Sequence, residues 1–390
     1  MLPLEGLRIL DLSRLLPGPY CTLLLADLGA DVIKIEEPQG GDYIRHMPPS
    51  AGESSALFHA LNRNKRSVTL DLKKPGGVEA FLTLVQTADV VVESFRPGVM
   101  DRLGLGYAAL SKANPKLIFC AISGYGATGP LAHRAGHDLN YIARSGVLGY
   151  GGEAHGTPAL PGVQIADVGG GSLLAAVGIL AALQERAQTG KGRFVDISMC
   201  EGSLAFLHMH LGGRLAQGPA GAPLQRGTEA LNGGYPCYGV YATRDGRHLS
   251  VAALEPKFWN GFCAAVERPD LADQGWNTGA AGEASKREVA RVVAARTLAE
   301  WEAFLADKDL CCEPVRDGDE VLTDPLHVAR GITFDIHDPR EGRAITHLIT
   351  PLRMGEPPKR PAPGLGEHNE EVLAAAGLSP AKISALKAGG

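Results

Sequence analysis

The first third of the chain alternates short apolar runs with stretches of helical spacing. LRILDLS (residues 7–13) is an apolar run that ends at a turn. PGPYCTLLLADLGA then places Tyr20, Leu23, Leu24 and Leu28 at helical intervals, and DVIKIEEP alternates Val32, Ile33 and Ile35 with polar neighbours. Such a strand–helix–strand unit predicts parallel strands with a right-handed crossover. The pattern repeats as SVTLDL, a helix through GGVEAFLTLVQTA, the strand DVVVESF, another helical stretch and KLIFCAISGYG. The expected fold is α/β, with a large Rossmann-like parallel-sheet domain. Its ligand crevice should lie at the carboxyl ends of the strands, where the loops SRLLPGP, SFRPG and SGYGATGP fall.

Further along, GGGSLLAAVGILAALQERAQ predicts one long apolar helix, ending at TGKG before the strand RFVDISM. From about residue 225 the texture changes to short strands and turns, then to helices. The expected organisation is a large domain over residues 1–215, a small α+β domain over 225–325, and a C-terminal segment, 330–390, that returns to the large domain.

Composition narrows the classes. Hydrophobic residues make up 45% and charged residues 21%, the mix of a globular protein. A net charge of −5 argues against a general nucleic-acid binder. The seven cysteines show no C-x-x-C and no zinc-like spacing with histidine, so reduced thiols and no metal site are expected. The N-terminus lacks the pattern of a signal peptide, no uninterrupted apolar run reaches the length of a membrane span, and the C-terminal KAGG is not a peroxisomal address. The expected location is the cytoplasm, with no membrane partner.

Nucleotide motifs fail in detail. No G-x-G-x-x-G follows the first strand, and TGKG follows a helix, whereas a phosphate-cradling loop precedes one. Three side chains stand out instead. Asp167 directly precedes a glycine-rich helix start, by default an N-cap, although the glycines at 169–171 suggest that something approaches the backbone closely. His137, in AGHDLNYIARSGVLG, is by default a satisfied group near a helix start, and Glu255 in AALEPKFW a turn carboxylate. Facing one another, a histidine and an aspartate could move protons on two sides of one atom, with a carboxylate fixing the imidazole tautomer. Spacing alone leaves that pairing open.

The segments LEGLRILDLSRLLPGPYCTLLLADLGADVIKIE, LNRNKRSVTLDLK, DVVVESFRPGVMDRLGLG, NPKLIFCAISGYGATGP, QTGKGRFVDISM and PAPGLGEHNEEVL span nearly the whole chain. On them it resembles the family III CoA-transferase superfamily (CaiB/BaiF type), which includes the α-methylacyl-CoA racemases. AGHDLNYIARSGVLG, ADVGGGS and GGYPCYGVYATRDGRHLSVAALEPKFW are similar to the racemases. The resemblance implies His137 and Asp167 as the two bases and Glu255 as the support of the imidazole. The transferases carry an aromatic residue at the position of His137, and there the aspartate is the nucleophile. In the other direction, GGDYIRHMPPSAGESSALFHALNRNKRS resembles the transferases, and Glu37 stands where the family carries a phosphate-binding arginine.

The resemblance further implies an acyl-CoA substrate, with coenzyme A as part of it and no separate cofactor. Lys73, Arg96 and Arg102 would meet the CoA phosphates, Leu70 and Leu72 would bracket the adenine, and Met199 and Met209 would face the acyl chain. Gly136, Asp138 and Tyr141 belong to the same implied site, the backbone N–H of Asp138 serving an enolate oxygen at its helix start. An interlocked homodimer is implied, with Glu255 reaching His137 across the subunit interface.

Overall fold

The computed structural model describes residues 1–52 and 54–387; Glu53, within the transferase-like segment, and the last three residues of the KAGG terminus lie outside the described residues. The strands of the N-terminal half are β1 (Arg8–Asp11), β2 (Asp31–Glu36), the two-residue β3 (Ser50–Ala51) and β4 (Ser54–Ser55), β5 (Lys65–Thr69), β6 (Val90–Glu93), β7 (Ile118–Ser123) and β8 (Phe194–Ser198). Six of them form one sheet in the order β5-β2-β1-β6-β7-β8, every pair parallel. These are the six strands expected from the apolar runs. The order reverses at β1, with β2 and β5 on one side and β6 to β8 on the other. The connections leaving β1 and β6 therefore diverge and open a crevice.

A parallel sheet is covered on both faces, so its strands must bury what they carry. Lys34, expected on the polar side of an alternating strand, is fully buried, as are Asp11 and Lys65. Each is compensated. Lys65 Nζ donates to Asp11 Oδ2 at 3.2 Å, Pro19 O at 2.9 Å and Asn62 Oδ1 at 2.9 Å. Lys34 Nζ donates to Ser13 O at 2.8 Å and pairs with Asp42 at 2.9 Å. Burial alone would raise the Asp11 pKa, but Lys34, Lys65 and the hydroxyls of Ser13 and Thr22 outweigh it and hold the carboxyl at about 2. Asp42 Oδ1 accepts the N–H of Leu15, whose φ of +63° is left-handed. The buried charges thus fix the SRLLPGP loop at the mouth of the crevice.

The chain forms two compact units. The first comprises residues 1–145, 163–206 and the chain from 330 onward. Its tail adds the hairpin β12 (Thr333–Asp338) and β13 (Arg343–Leu348), and a helix Asn369–Ala375 whose Val372 and Leu373 enter the core of the large sheet. The second unit, residues 146–162 and 207–329, is α+β. It holds the antiparallel strands β9 (Tyr238–Ala242), β10 (His248–Ala252) and β11 (Cys312–Pro314) around a core with Trp259, Phe262 and Trp301. The texture of the chain predicts a first boundary at 215, with 146–162 in the large domain. Side chains tie that segment to the second unit instead: Tyr150 donates to Glu229 at 2.7 Å, and Arg226 donates to the carbonyls of Gly149, Glu153 and Gly156. Texture along the chain carries no trace of such bonds.

Residues Ile165–Thr189 form one continuous helix with the length and mean hydropathy, 1.8, of a membrane span. It contains no uninterrupted apolar run of that length, because Asp167 and Ser172 break the run. Here it is packed within the first unit, with Ala175, Ala176, Ile179 and Ala182 buried.

Candidate active site

The crevice is occupied by a cavity of about 690 Å³ at the carboxyl ends of β1, β6, β7 and β8, within the size range of a small-molecule site. Its wall includes Arg14, Leu15 and Pro17 after β1, Phe95 and Arg96 after β6, and Gly124 after β7. The stretch 132–141 adds His137, Asn140 and Tyr141, the long helix adds Asp167, and Met199 follows β8.

His137 immediately precedes the helix Asp138–Ser145. Its carbonyl accepts the N–H of Asn140 at 2.8 Å, and Asn140 Oδ1 accepts the His137 N–H at 3.0 Å. This reciprocal cap leaves the imidazole free of capping work, and the residue is exposed. Beneath it, the Tyr141 hydroxyl donates to Gly136 O. A Cβ on Gly136 would stand 2.7 Å from the Tyr141 ring and one on Gly124 2.4 Å, so both positions are closed to side chains.

Asp167 is not an N-cap. The helix begins earlier, as a π-helix, Ile165–Leu173, and Asp167 lies inside its first turn. The three glycines do mark a close approach, but the approaching group is protein. A Cβ on Gly170 would lie 2.7 Å from both Met199 O and Ser203 N, one on Gly202 2.1 Å from Gly170 O, and one on Gly169 2.6 Å from Phe206. The π-helix therefore packs backbone to backbone against the helix Met199–Leu204. Burial, then the charge of Asp138, pushes the Asp167 pKa up to about 6, while His137 pulls the other way.

The structure brings His137, Asp167, Arg96, Gly136, Tyr141 and Met199 to one cavity. It places the other expected residues elsewhere. Leu70 is buried in the core of the sheet, and Leu72 is half-buried against that core, outside the cavity wall. Lys73 is exposed, its backbone N–H taken by Asp71 Oδ1 at 3.0 Å, and Arg102 is exposed outside the cavity wall. Met209 is 61% exposed on the helix His208–Ala216 of the second unit. Glu255 also belongs to the second unit, at the N-cap of Pro256–Ala265, where its side chain makes no capping bond. Asp138 stands behind the wall, its side chain bonded to the Asp167 backbone.

The wall residues that the sequence does not single out include Arg14, Tyr43, Phe95 and Arg134. The Arg14 guanidinium lies over both Tyr43 and Phe95, at 5.1 and 5.2 Å, and donates to the Tyr43 hydroxyl at 3.0 Å. Arg14 and Phe95 were in flagged loops; Tyr43 comes from the transferase-like segment.

Glu93, buried at the end of β6 just before this loop, accepts the Phe95 N–H at 2.7 Å. Burial raises its pKa to about 8, helped by Asp101 and Asp196 and opposed by the Phe95 bond. The folded state thus holds a proton that the unfolded chain releases near 4.5. Its contribution to stability is full below that pH and is lost as pH rises to about 8. Glu93→Gln copies the protonated form. It should match the parent at pH 4 and exceed it by a few kcal/mol, order of magnitude, at pH 8.5. Urea midpoints at the two pH values check this; an equal difference at both would contradict it.

The sequence model of CoA-transferase family III matches residues 4–369. The chain belongs to CoA-transferase family III. Among its relatives, α-methylacyl-CoA racemase of Homo sapiens is 36% identical over 98% of this chain and 96% of its own. Succinyl-CoA:mesaconate CoA-transferase of Haloarcula hispanica is 37% identical over 96% of each chain, and succinate–glutarate CoA-transferase of Agrobacterium fabrum 36% over 95% of each. A CaiB/BaiF family protein from Brucella suis superposes with a TM-score of 0.82 at 32% identity, covering 96% of this chain and 99% of that one. Rv3272 from M. tuberculosis gives 0.78 at 30%, covering 94% and 98%. The chain is thus an enzyme of the family III transferase and racemase type, and both reactions occur among relatives of similar identity.

Proposed function

We propose that this family III enzyme inverts the α-carbon of 2-methylacyl-CoA thioesters by a two-base proton transfer. The observation that carries the reading is the presence of His137 and Asp167 on the wall of one cavity. One base removes the α-proton, and the electron pair moves onto the thioester oxygen as an enolate. The conjugate acid of the other base then protonates the opposite face. Each group must serve as base in one direction and acid in the other, which suits an aspartate whose pKa lies near 6. The Asp138 N–H, at the positive end of its helix, is the proposed donor to the enolate oxygen. Arg96, with Arg14 and Arg134 beside it, is proposed for the CoA phosphates. Lys73 and Arg102 keep that role in this reading only for the outer end of the nucleotide.

A homodimer completes the reading, with Glu255 of one chain orienting His137 of the other. Leu173, Leu174, Val177 and Leu180, spaced along one stripe of the long helix, are each more than a third exposed, as are Leu204 and Phe206. An apolar stripe of this kind is what a subunit interface covers.

A transferase reading is favoured by one observation, the Tyr43 side of the wall, which the transferase-like segment supplies. There Asp167 alone would act, as the nucleophile. Incubation of a 2-methylacyl-CoA in deuterated buffer, with and without a carboxylic acid acceptor, separates the two. Racemisation gives α-deuterium uptake without acceptor; transfer needs the acceptor and gives an acyl intermediate on Asp167 that hydroxylamine traps. Uptake that depends on the acceptor would overturn the racemase reading.

A further inference from the structure

We propose that the Asp138 side chain is a positioning residue for Asp167, clamping the helix that carries Asp167 onto the helix that starts beside His137. This rests on the racemase reading for its catalytic consequence, but not for its geometry. Asp167 lies in the first turn of the π-helix, where backbone N–H groups have no partner within the helix. Gln164 precedes that helix without a capping side chain. The Asp167 N–H is met from outside: Asp138 Oδ1 accepts it at 2.8 Å. On the other side of the same residue, the Ser172 hydroxyl lies 3.0 Å from Asp167 O and 2.6 Å from Pro17 O, its single proton shared between the two carbonyls. Both backbone groups of Asp167 are therefore held by side chains, and one of those side chains belongs to the residue after His137. This short circuit of bonds ties the two proton-handling groups together directly, beside the seam that holds the π-helix to the helix Met199–Leu204.

The clamp carries a charge as well as a bond. A helix N-terminus ordinarily favours the ionised form of an aspartate in its first turn. Asp138 puts a negative charge at the same place and works against that preference, in the same direction as burial, while His137 opposes it. Tyr141, one turn along the helix from Asp138, feels both carboxylates and Arg96. A neutral amide at position 138 keeps an oxygen to accept the Asp167 N–H and removes the charge; alanine removes both. The two substitutions therefore separate the bond from the field.

The test uses the full-length enzyme with ¹³C-labelled aspartate carboxyls, the Asp167 signal being identified by its loss in D167N. In D138N the fold is retained and the Asp167 titration midpoint drops by about half a unit to one unit, the size expected for a neighbouring like charge. The low-pH limb of α-proton exchange moves by the same amount. In D138A, kcat falls roughly 10- to 100-fold with KM within about two-fold, as expected when a reacting group loses its alignment. The clamp is overturned if the Asp167 amide proton exchanges with solvent no faster in D138A than in the parent, or if D138N, which keeps the oxygen, leaves that proton unprotected; an Asp167 midpoint that is the same in D138N and the parent overturns the electrostatic part. If that amide protection holds but no 2-methylacyl-CoA exchanges its α-proton, the clamp stands and the racemase reading falls.

Discussion

With His137 replaced by alanine, deuterium uptake at the α-carbon of the S isomer of a 2-methylacyl-CoA should fall by about 10²- to 10⁴-fold, while uptake from the R isomer persists. D167N should give the mirror result. The asymmetry follows from the proposed two-base reading, in which His137 and Asp167, both on the cavity wall, each serve one face of the substrate. Loss of one base stops abstraction on its own face; the surviving group still removes its proton, exchanges it with solvent and returns a deuteron. Racemisation, which needs both faces, is lost in either variant. The assignment of S to His137 follows the racemases that the chain resembles. Proton NMR of each isomer in deuterated buffer reads the outcome, and equal losses from both isomers in H137A would contradict separate bases.

Asp11→Ala should cost about 3–5 kcal/mol, the price of stranding a buried charge. Asp11 is the carboxylate bonded to Lys65, and both are fully buried beneath the sheet's carboxyl edge. Burial lowers the Lys65 pKa to about 8 even with Asp11 present, so the ammonium has little tolerance for losing it. The same substitution frees Ser13, whose N–H the Asp11 carboxylate accepts at 2.9 Å, and with it the loop bearing Arg14 and Leu15. D11A combined with K65M should recover at least about 2 kcal/mol, because an apolar pair needs no compensation. Urea unfolding of the single and double variants measures this; a D11A midpoint equal to the parent's would refute it.

The sheet was legible because each strand is a short run of residues that the fold buries, bounded by turns; β6 and β7 are buried along their whole length. What the pattern misread was charge. Lys34 stands at an alternating position like any solvent-facing lysine, and only its three-dimensional partners show that it is inside. In the site, His137, Asp167 and Arg96 could be found because each lies in a distinctive local motif. Arg14, Tyr43 and Phe95 could not, because their meeting depends on β1 lying beside β6, a fact of strand order. Leu70 illustrates the opposite error. It follows β5 at the right end of the sheet, yet its side chain turns into the core. The π-helix was hidden for a related reason: its glycines are demanded by the partner helix, which a linear pattern does not name.

That backbone-to-backbone seam has a consequence for how the enzyme can diversify. Positions 170 and 202 admit no larger residue without moving main chain, and position 169 none without moving the Phe206 ring. One side of the reaction chamber is thereby frozen in shape, whatever acyl group the enzyme serves. Directed evolution toward a new acyl chain should accumulate its changes elsewhere on the wall, at residues 14, 15, 43, 132, 134 and 135, where it is made of side chains that can be exchanged.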